Sequence, residues 1–335
     1  MARLVAERAV SLIFVIFGLT ILVFVISNII PSDPAQVAAG LSARKEQVEA
    51  VRKELGLDRP LPEQYLRYVS RLVRGDLGTS LLTRRPVIDD IKVYFPATLE
   101  LVVVATAMFL LLGVPLGVVA AITAGRWPDL LVRLAAVLGM GMPAFWLALM
   151  TQVVFFGWLG WLPAVGRISP NIAPPTTITG FYLVDSILTG NWPAFVSSAR
   201  HILLPASVLA LARFGVTIRF VRGGMLEVLH SDYVRTGRAK GLPERDVVTR
   251  HALRNALIPV TTMTGLQFGW LLGGTVLVET VYSWPGLGVY AVDSIGSLDF
   301  TATMAVALVL SVVFVLVNLL VDILYGLIDP RIREI

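Results

Sequence analysis

Five long stretches of this 335-residue chain contain no aspartate, glutamate, lysine or arginine, and they constrain the fold more than any other feature. The stretches are residues 9–32, 101–125, 134–166, 255–278 and 300–321. A helix that crosses a lipid bilayer needs about 20 consecutive, mostly apolar residues, and each stretch reaches that length. The pattern therefore predicts an all-α integral membrane protein.

The composition excludes other broad classes of protein. Charged residues make up 15% of the chain and apolar residues 56%, whereas soluble domains carry about 25% charged residues. Intrinsic disorder is excluded because it requires low hydrophobicity and high charge. The chain has no cysteine, so we expect no disulfide, zinc-thiolate site or iron–sulfur cluster.

A sixth apolar segment, about 201–221, carries Arg213 and Arg219, and we interpret it as a further spanning helix. Basic residues in short loops indicate which side of the membrane each loop occupies. With the amino terminus inside, the short outside loops hold only Arg167 and Arg200, and the inside segments hold many more basic residues. We therefore expect six transmembrane helices with both termini in the cytoplasm (N-in, C-in).

The predicted organisation has three parts: a first transmembrane helix with a cytoplasmic amino terminus over 1–30, an extracytoplasmic loop over 31–96, and a five-helix core over 97–335. We expect short amphipathic helices in the loop. Apolar residues between 63 and 74 that share one helical face are Tyr65, Leu66, Val69, Leu72 and Val73. Such a helix can rest on the membrane surface or on the outer face of the protein, or can help to accept a substrate.

A densely charged segment, residues 227–254, separates the fourth and fifth predicted spans. Gly241 can adopt the positive φ that ends a helix, and Pro243 suits the first turn of the next helix. Glu244 and Asp246 favour the positive end of that second helix. The sequence therefore predicts a helix, a glycine turn and another helix. This segment is either a docking surface for a soluble partner or a solvated loop whose arginines only set the topology.

The same segment resembles the "EAA" loop of bacterial ABC-importer permeases, in the form used by the dipeptide, oligopeptide and nickel group. The matching pieces are Asp232-Tyr233-Val234-Arg235-Thr236, Arg238-Ala239-Lys240-Gly241-Leu242 and His251-Ala252-Leu253-Arg254-Asn255-Ala256-Leu257-Ile258-Pro259. Arg235-Thr236-Gly237 stands where the general pattern has Glu-Ala-Ala, and Gly237 replaces an alanine usual in the peptide group. Other matching stretches are 29–34, 55–58, 75–78, 96–101, 179–185, 279–288 and 317–322. The chain is most similar to the B-type permease subunit of dipeptide transporters.

The resemblance implies a type-I-like ABC importer transmembrane domain in the bacterial cytoplasmic (inner) membrane, crossing it several times. It implies that residues 227–256 form a cytoplasmic coupling loop on which an ATP-binding subunit docks. The residues assigned to that coupling are Tyr233, Arg235, Thr236, Arg238, Ala239, Lys240, Gly241, Leu242 and Glu244. Asn255 and Pro259 are expected to anchor the loop to the fifth span.

The implied partners are a homologous second permease subunit, two ATP-binding subunits and an extracytoplasmic solute-binding protein, with membrane lipid around the chain and no nucleic acid. A phosphate-binding Walker A loop requires Gly-Lys-Ser/Thr. No lysine of this chain follows a glycine, since the lysines are Lys45, Lys53, Lys92 and Lys240. We therefore expect no cofactor, metal or catalytic site in this chain, with ATP and Mg²⁺ bound by the partner subunits.

Three charged residues are candidates for the translocation path. Arg213 and Arg219 are the only charges well inside a predicted span, where a charge costs about 2.5–3.5 kcal/mol on insertion scales. Each either faces the path and meets a peptide carboxylate, or extends to the cytoplasmic edge. Glu279, at the outer end of the fifth span, either accepts a peptide ammonium at an extracellular gate or follows the charge bias of the loops.

Glycines spaced four residues apart indicate close helix packing, either within this subunit or against another. They are Gly113 and Gly117 in the second span, and Gly265, Gly269 and Gly273 in the fifth. Pro115 and Pro143 are expected to kink the second and third spans.

The function expected from these features is that of a permease subunit that forms half of a path for di- or oligopeptides, coupled to ATP hydrolysis by a separate subunit. The alternatives are a secondary transporter, or an importer of a non-peptide cargo such as nickel, haem or glutathione. A secondary transporter usually carries acidic residues at the membrane midplane, whereas the acids here lie near the ends of the spans. An intramembrane enzyme is disfavoured because no nucleophile–base pair or metal motif occurs at depth.

Overall fold

The computed structural model describes residues 2–29, 34–39, 43–54 and 56–328. These residues form helices and loops without a β-strand, which confirms the all-helical class. The predicted boundary at 30–31, most of the 29–34 motif, and the last seven residues of the predicted core lie outside the described residues.

The helices are named in chain order, with two π-helical segments called π1 and π2. They are α1 (Ala2–Ile29), α2 (Pro34–Ala39), α3 (Lys45–Glu54), α4 (Leu61–Val73), α5 (Val87–Ile122), α6 (Trp127–Gly141), α7 (Ala144–Thr151), π1 (Gln152–Trp158), α8 (Tyr182–Leu188), α9 (Trp192–Leu229), α10 (Asp232–Ala239), α11 (Glu244–Asp246), π2 (Val247–Ala252), α12 (Leu253–Ala256), α13 (Ile258–Gly274), α14 (Val276–Val281), α15 (Leu287–Gly296) and α16 (Phe300–Ile328). The amphipathic helix predicted over 63–74 is present as α4.

Within the described residues, three helices are long and apolar enough to cross a membrane: α5, α9 and the Phe300–Val321 part of α16. A fourth candidate is the pair formed by α6 and the continuous α7–π1 helix, which meet at an angle of 103°. The bend lies at Pro143, since a proline lacks the N–H needed to continue a helix. The predicted first span includes a shorter apolar helix, Ile13–Ile26, and the predicted fifth is divided among α12, α13 and α14.

The described residues group into two compact units. The first contains residues 97–285 and 316–328, and α9 is its central helix, in contact with α6, α7, α8 and α13. A Cβ atom added to Gly113 of α5 would lie 2.9 Å from Thr217 Cγ2 of α9, and one added to Gly117 would lie 2.7 Å from Val221 Cβ. The glycine spacing of the second predicted span therefore serves packing inside this chain.

The fifth-span glycines divide between two environments. A Cβ added to Gly265 of α13 would overlap the side chain of Val321 in α16, so this glycine also packs within the chain. Gly273 is exposed, with open space where a Cβ would lie. The repeat therefore does not form one continuous internal contact.

The second unit contains residues 2–96 and 286–315. Its core brings Val87 and Ile91, at the start of α5, against Leu287 and Tyr290 of α15 and residues of α16. Here α4 packs on α1, since the Tyr65 hydroxyl lies 2.9 Å from Thr20 Oγ1.

Candidate coupling elbow and buried polar centre

Residues 232–256, here called the elbow, form a helix, a glycine turn and a second helical segment. Helix α10 ends where Gly241 adopts a φ of +77°. The Gly241 N–H donates to the carbonyl of Arg238 at 3.0 Å, and the Leu242 N–H donates to the carbonyl of Gly237 at 3.3 Å. This pair of hydrogen bonds is the Schellman arrangement, which satisfies carbonyls at a helix end. The helix–turn–helix predicted around Gly241 is therefore confirmed.

A two-pronged ion pair closes the turn. Arg238 donates through Nη2 to Glu244 Oε1 at 2.7 Å and through Nε to Oε2 at 3.1 Å. The hydrogen bond from Arg238 lowers the pKa of Glu244 below its usual value, and the same contact raises the pKa of Arg238. Both residues were predicted to contact a partner, yet in this conformation they bind each other across the turn.

The elbow is also tied to the end of the predicted fifth span. Val234 of α10 is buried, and Asn255 of α12 donates through Nδ2 to the Tyr233 hydroxyl at 2.8 Å. Pro259 occupies the first turn of α13, where its missing N–H costs no helical hydrogen bond. These contacts hold α10 on α12 at the start of α13.

The outer surface of the elbow is polar and basic. Every residue predicted to couple to an ATPase is exposed. The Arg235 side chain keeps 76% of its surface accessible, although it lies 3.7 Å from Asp232, and Tyr233 is 46% exposed. With Val234 directed inward and its neighbours outward, α10 presents one rigid face to the surroundings.

The three predicted path residues occupy different environments. Arg219 of α9 is exposed, whereas Arg213 is partly buried and its Nε has no hydrogen-bond partner among the described residues. Glu279 of α14 is fully buried, and it accepts a hydrogen bond from Thr98 Oγ1 at 2.7 Å. Glu279 therefore has no surface available to a ligand in this conformation.

Sequence reasoning missed a buried ion pair near Glu279. Arg167 is 7% exposed, and it donates through Nη2 to Glu100 Oε2 at 2.5 Å and to the carbonyl of Gly180 at 3.0 Å. Its guanidinium lies 3.8 Å from the centre of the Tyr182 ring. The other oxygen of Glu100 accepts from the N–H of Leu183 at 2.8 Å. Charge, aromatic face and backbone together offset much of the cost of burying the two ions. The Nε of Arg167 is buried without a hydrogen-bond partner among the described residues.

A second buried carboxylate shapes the loop that meets this pair. Asp185 of α8 accepts hydrogen bonds from the backbone N–H groups of Ile178, Thr179 and Gly180 and from the Thr179 hydroxyl. Burial alone would raise the pKa of Asp185, but these hydrogen bonds outweigh it and lower the pKa below the usual value. Asp185 therefore acts as the ionised centre around which 178–180 folds.

Three sequence stretches, distant in the chain, meet at these groups. Residues 96–101 contribute Glu100, and residues 179–185 contribute the Gly180 carbonyl that accepts from Arg167. Residues 279–288 contribute Trp284, whose Nε1 donates to the Ala97 carbonyl at 3.0 Å. One signal in the sequence could have indicated that these residues belong together. Glu100, Arg167 and Glu279 each border a charge-free stretch at the end predicted to face outward.

Another bidentate pair joins α6 to α9. Arg222 donates through Nε to Asp129 Oδ1 at 2.8 Å and through Nη2 to Oδ2 at 2.9 Å. Arg133 lies 3.4 Å from the same carboxylate. Arg222 therefore holds α9 against α6, and Arg133 adds a second positive charge to Asp129 from within α6.

The helices and the elbow indicate the class of protein, and the comparison with known proteins then indicates the family. No group of three or more histidine, aspartate or glutamate residues that could hold a metal occurs in the part of the chain the structure describes. Long apolar helices and an exposed basic elbow are the features of a membrane permease subunit. Residues 113–334 match the family described as "Binding-protein-dependent transport system inner membrane component", and residues 1–102 match "Binding-prot-dependent transport system membrane comp, N-term". The chain belongs to this family of ABC-importer permeases, which confirms the resemblance found in the sequence.

Curated relatives match over nearly their full length. The chain is 49% identical to the probable D,D-dipeptide transport system permease protein DdpB of Escherichia coli, over 97% of this chain and 96% of the relative. It is 43% identical to the dipeptide transport system permease protein DppB of Alkalihalophilus pseudofirmus, over 98% of each. It is 41% identical to the glutathione transport system permease protein GsiC of Escherichia coli, over 99% of each.

Proposed function

We propose that this chain forms half of the translocation path of an ABC importer that carries di- or oligopeptides across the bacterial cytoplasmic membrane. Two relatives named for dipeptide transport are 49% and 43% identical to it, and a relative named for glutathione transport is 41% identical. Its partners in this proposal are a homologous permease, two ATP-binding subunits that hold ATP and Mg²⁺, and an extracytoplasmic binding protein. This chain carries no chemical step.

The observation that carries the coupling role is the geometry of the elbow. Buried Val234 and the Tyr233–Asn255 hydrogen bond hold one side of α10 against the protein, while its basic face is exposed. A surface that is both rigid and exposed can transmit the movement of a docked ATPase to α13. In this proposal Asn255 and Pro259 form the mechanical connection.

A pair of glycine variants tests this role. Gly241 and Gly190 share a positive φ, +77° and +67°, and neither has a neighbour within 4 Å of an added Cβ. Backbone strain is therefore similar in Gly241→Trp and Gly190→Trp, but only the first places an indole on the docking face. In proteoliposomes containing the whole importer, we expect Gly241→Trp to abolish ATP-dependent dipeptide uptake and Gly190→Trp to keep it. Equal uptake by the two variants would refute the docking assignment.

The proposal includes six spans with both termini inside, the loop 31–96 outside and the elbow in the cytoplasm. Because the chain has no cysteine, each introduced cysteine reports a single position. Thr177 and Arg245 are both exposed, and they lie in loops predicted outside and inside. A membrane-impermeant maleimide should label Thr177→Cys on intact spheroplasts and label Arg245→Cys only after the membrane is permeabilised. The reverse labelling would overturn this topology.

Arg213 is the path residue we propose. It lies well inside the predicted fourth span, it is partly buried, and its Nε has no hydrogen-bond partner among the described residues. Arg219 is exposed, and Glu279 is buried and accepts a hydrogen bond from Thr98. We expect Arg213→Gln to raise the KM for dipeptide uptake while basal ATP hydrolysis stays unchanged, with Arg219→Gln as the matched control. Unchanged uptake kinetics in Arg213→Gln would remove this residue from the path.

The cargo is tested with the complete importer and its own binding protein. We expect ATP-dependent uptake of a radiolabelled dipeptide that excess unlabelled dipeptide abolishes. Glutathione at the same excess should compete weakly. Uptake of glutathione without uptake of dipeptides would assign the cargo named for the third relative.

A further inference from the structure

A cavity of about 640 Å³ lies beside the first turns of α9, among residues of the first unit. Its walls are mainly apolar, and the loop that follows π1 forms one side of them. The apolar wall includes Phe156, Leu162, Ile172 and Trp192. The coupling elbow and the buried ion pair do not line this cavity, and no role described above accounts for it.

Polar groups lie on one side of the cavity. Arg200 donates through Nη2 to the Trp161 carbonyl at 2.7 Å, which positions an exposed guanidinium at the rim. His201 is 6% exposed, and its Nδ1 lies 2.8 Å from the carbonyl of Ser197. Because a carbonyl can only accept, Nδ1 carries a proton, and Nε2 is the ring atom left for a further hydrogen bond. The hydroxyl of Ser169, 3.1 Å from Ser197 Oγ, completes the polar side.

In the topology proposed above, the end of α9 beside this cavity lies at the outer membrane interface. Arg200 and Arg222 are 22 residues apart in one helix, which is about 33 Å at 1.5 Å per residue. The hydrocarbon core of a bilayer is about 30 Å thick. Trp161 and Trp192 are 60% and 61% exposed near Arg200, and exposed tryptophans concentrate at the headgroup level of membranes.

We propose that this cavity binds an anionic phospholipid, with its phosphate on Arg200 and a headgroup hydroxyl hydrogen-bonded to His201 Nε2. The apolar wall then receives the first part of an acyl chain. None of the described residues that line the cavity is acidic. A zwitterionic peptide would therefore leave its ammonium without a counter-charge, and phosphatidylethanolamine would do the same. Phosphatidylglycerol supplies both the negative charge and the hydroxyl, and it matches the donors and acceptors present.

Native mass spectrometry of the assembled importer tests the proposal. The complex is washed in detergent and then offered equal amounts of phosphatidylglycerol and phosphatidylethanolamine. We expect the wild type to retain phosphatidylglycerol preferentially. Arg200→Gln should weaken that retention about tenfold, since a charge-assisted hydrogen bond is lost. Arg200→Lys should keep most of it, and Arg126→Gln, an exposed arginine outside the cavity, should leave it unchanged.

A second variant keeps the test decisive if the loss of Arg200 disturbs the loop that it binds. Val196 lines the cavity and is 55% exposed, so Val196→Trp fills the space without changing any charge. We expect it to displace the lipid as well. Equal retention of both lipids by the wild type, unchanged retention in both variants, or displacement of the lipid by saturating dipeptide would overturn the proposal. The proposal concerns lipid binding alone, so its failure leaves peptide transport and ATPase docking untouched.

Discussion

Gly237 lies near the end of α10, where an alanine is usual in the peptide permeases that the chain resembles. A Cβ added there would lie 3.5 Å from Leu242 Cδ1, an ordinary van der Waals contact. Glycine inside a helix costs roughly 0.5–1 kcal/mol relative to alanine. Gly237→Ala should therefore slow hydrogen exchange of the α10 amides about two- to fivefold in deuterium-exchange mass spectrometry, because local opening becomes less favourable.

The matched control for that substitution lies four residues further on. Gly241 has open space around it, but its φ of +77° is a region that side chains with a Cβ disfavour. Gly241→Ala should cost about 1–2 kcal/mol and accelerate exchange in the same peptide. If both alanine variants shift exchange in the same direction, backbone conformation does not decide the stability of this turn.

Asp185 is the single residue on which the 178–180 loop depends most. It accepts four hydrogen bonds as a buried carboxylate, so an amide in its place would direct two donors at other donors. We expect Asp185→Asn to lower the stability of the detergent-solubilised chain by about 2–3 kcal/mol in thermal unfolding. Asp232→Asn, whose side chain is 99% exposed, should leave the midpoint unchanged. If Asp185→Asn leaves the unfolding midpoint unchanged, these hydrogen bonds do not stabilise the fold.

At the scale of the element, the turn of the elbow should respond to pH through Glu244. Its folded pKa lies below the usual 4.5 because of Arg238. The stabilisation is therefore fully present above the usual value and is lost as the pH falls through the folded one. The pair is largely exposed, so its contribution is a few tenths of a kcal/mol. From pH 7 to roughly pH 4, exchange in the turn, corrected for intrinsic rates, should rise by up to about twofold. Arg238→Gln should remove this pH dependence.

The sequence alone was sufficient to predict those helix ends that a glycine or a proline at the end itself determines. Gly241 and Pro243 determine the elbow turn, and Pro143 determines where α6 ends and α7 begins. The size of that bend, 103°, was not predictable, because a missing N–H permits a bend without setting its angle. Helix α5 begins at Val87, ahead of its charge-free stretch. Asp89 and Asp90 lie in its first turn, where acids stabilise a helix.

At the scale of the whole molecule, the sequence indicated important stretches without showing that they meet. Residues 96–101, 179–185 and 279–288 matched family patterns separately. Their contacts join residues up to 187 positions apart, as in the hydrogen bond from Trp284 to Ala97. Periodicity and charge counts report only on neighbours in the chain. Pairing Arg167 with Glu100 therefore required the three-dimensional structure.

The pair formed by Arg167 and Glu100 should hold these stretches together, and a double-mutant cycle measures its contribution. Both side chains are almost completely buried, at 6% and 5% exposure. Removing one partner leaves an uncompensated charge, so Arg167→Met or Glu100→Gln alone should cost about 3–5 kcal/mol. Glu100→Gln keeps an oxygen for the N–H of Leu183. The double variant should lose less than the sum of the two, because neither charge remains unpaired.

The exposed pair of Asp89 and Lys92 is the control, since its side chains are 51% and 68% exposed at a separation of 2.8 Å. Breaking it should change stability by no more than about 1 kcal/mol. Thermal unfolding of the detergent-solubilised wild type, the two single variants and the double variant gives the four stabilities that each cycle compares. Additive losses at Arg167 and Glu100 would mean that the two ions are stabilised independently, by Tyr182 and the surrounding backbone. A coupling energy well above that of the exposed pair would make this ion pair the group that holds residues 96–101 against the 179–185 loop.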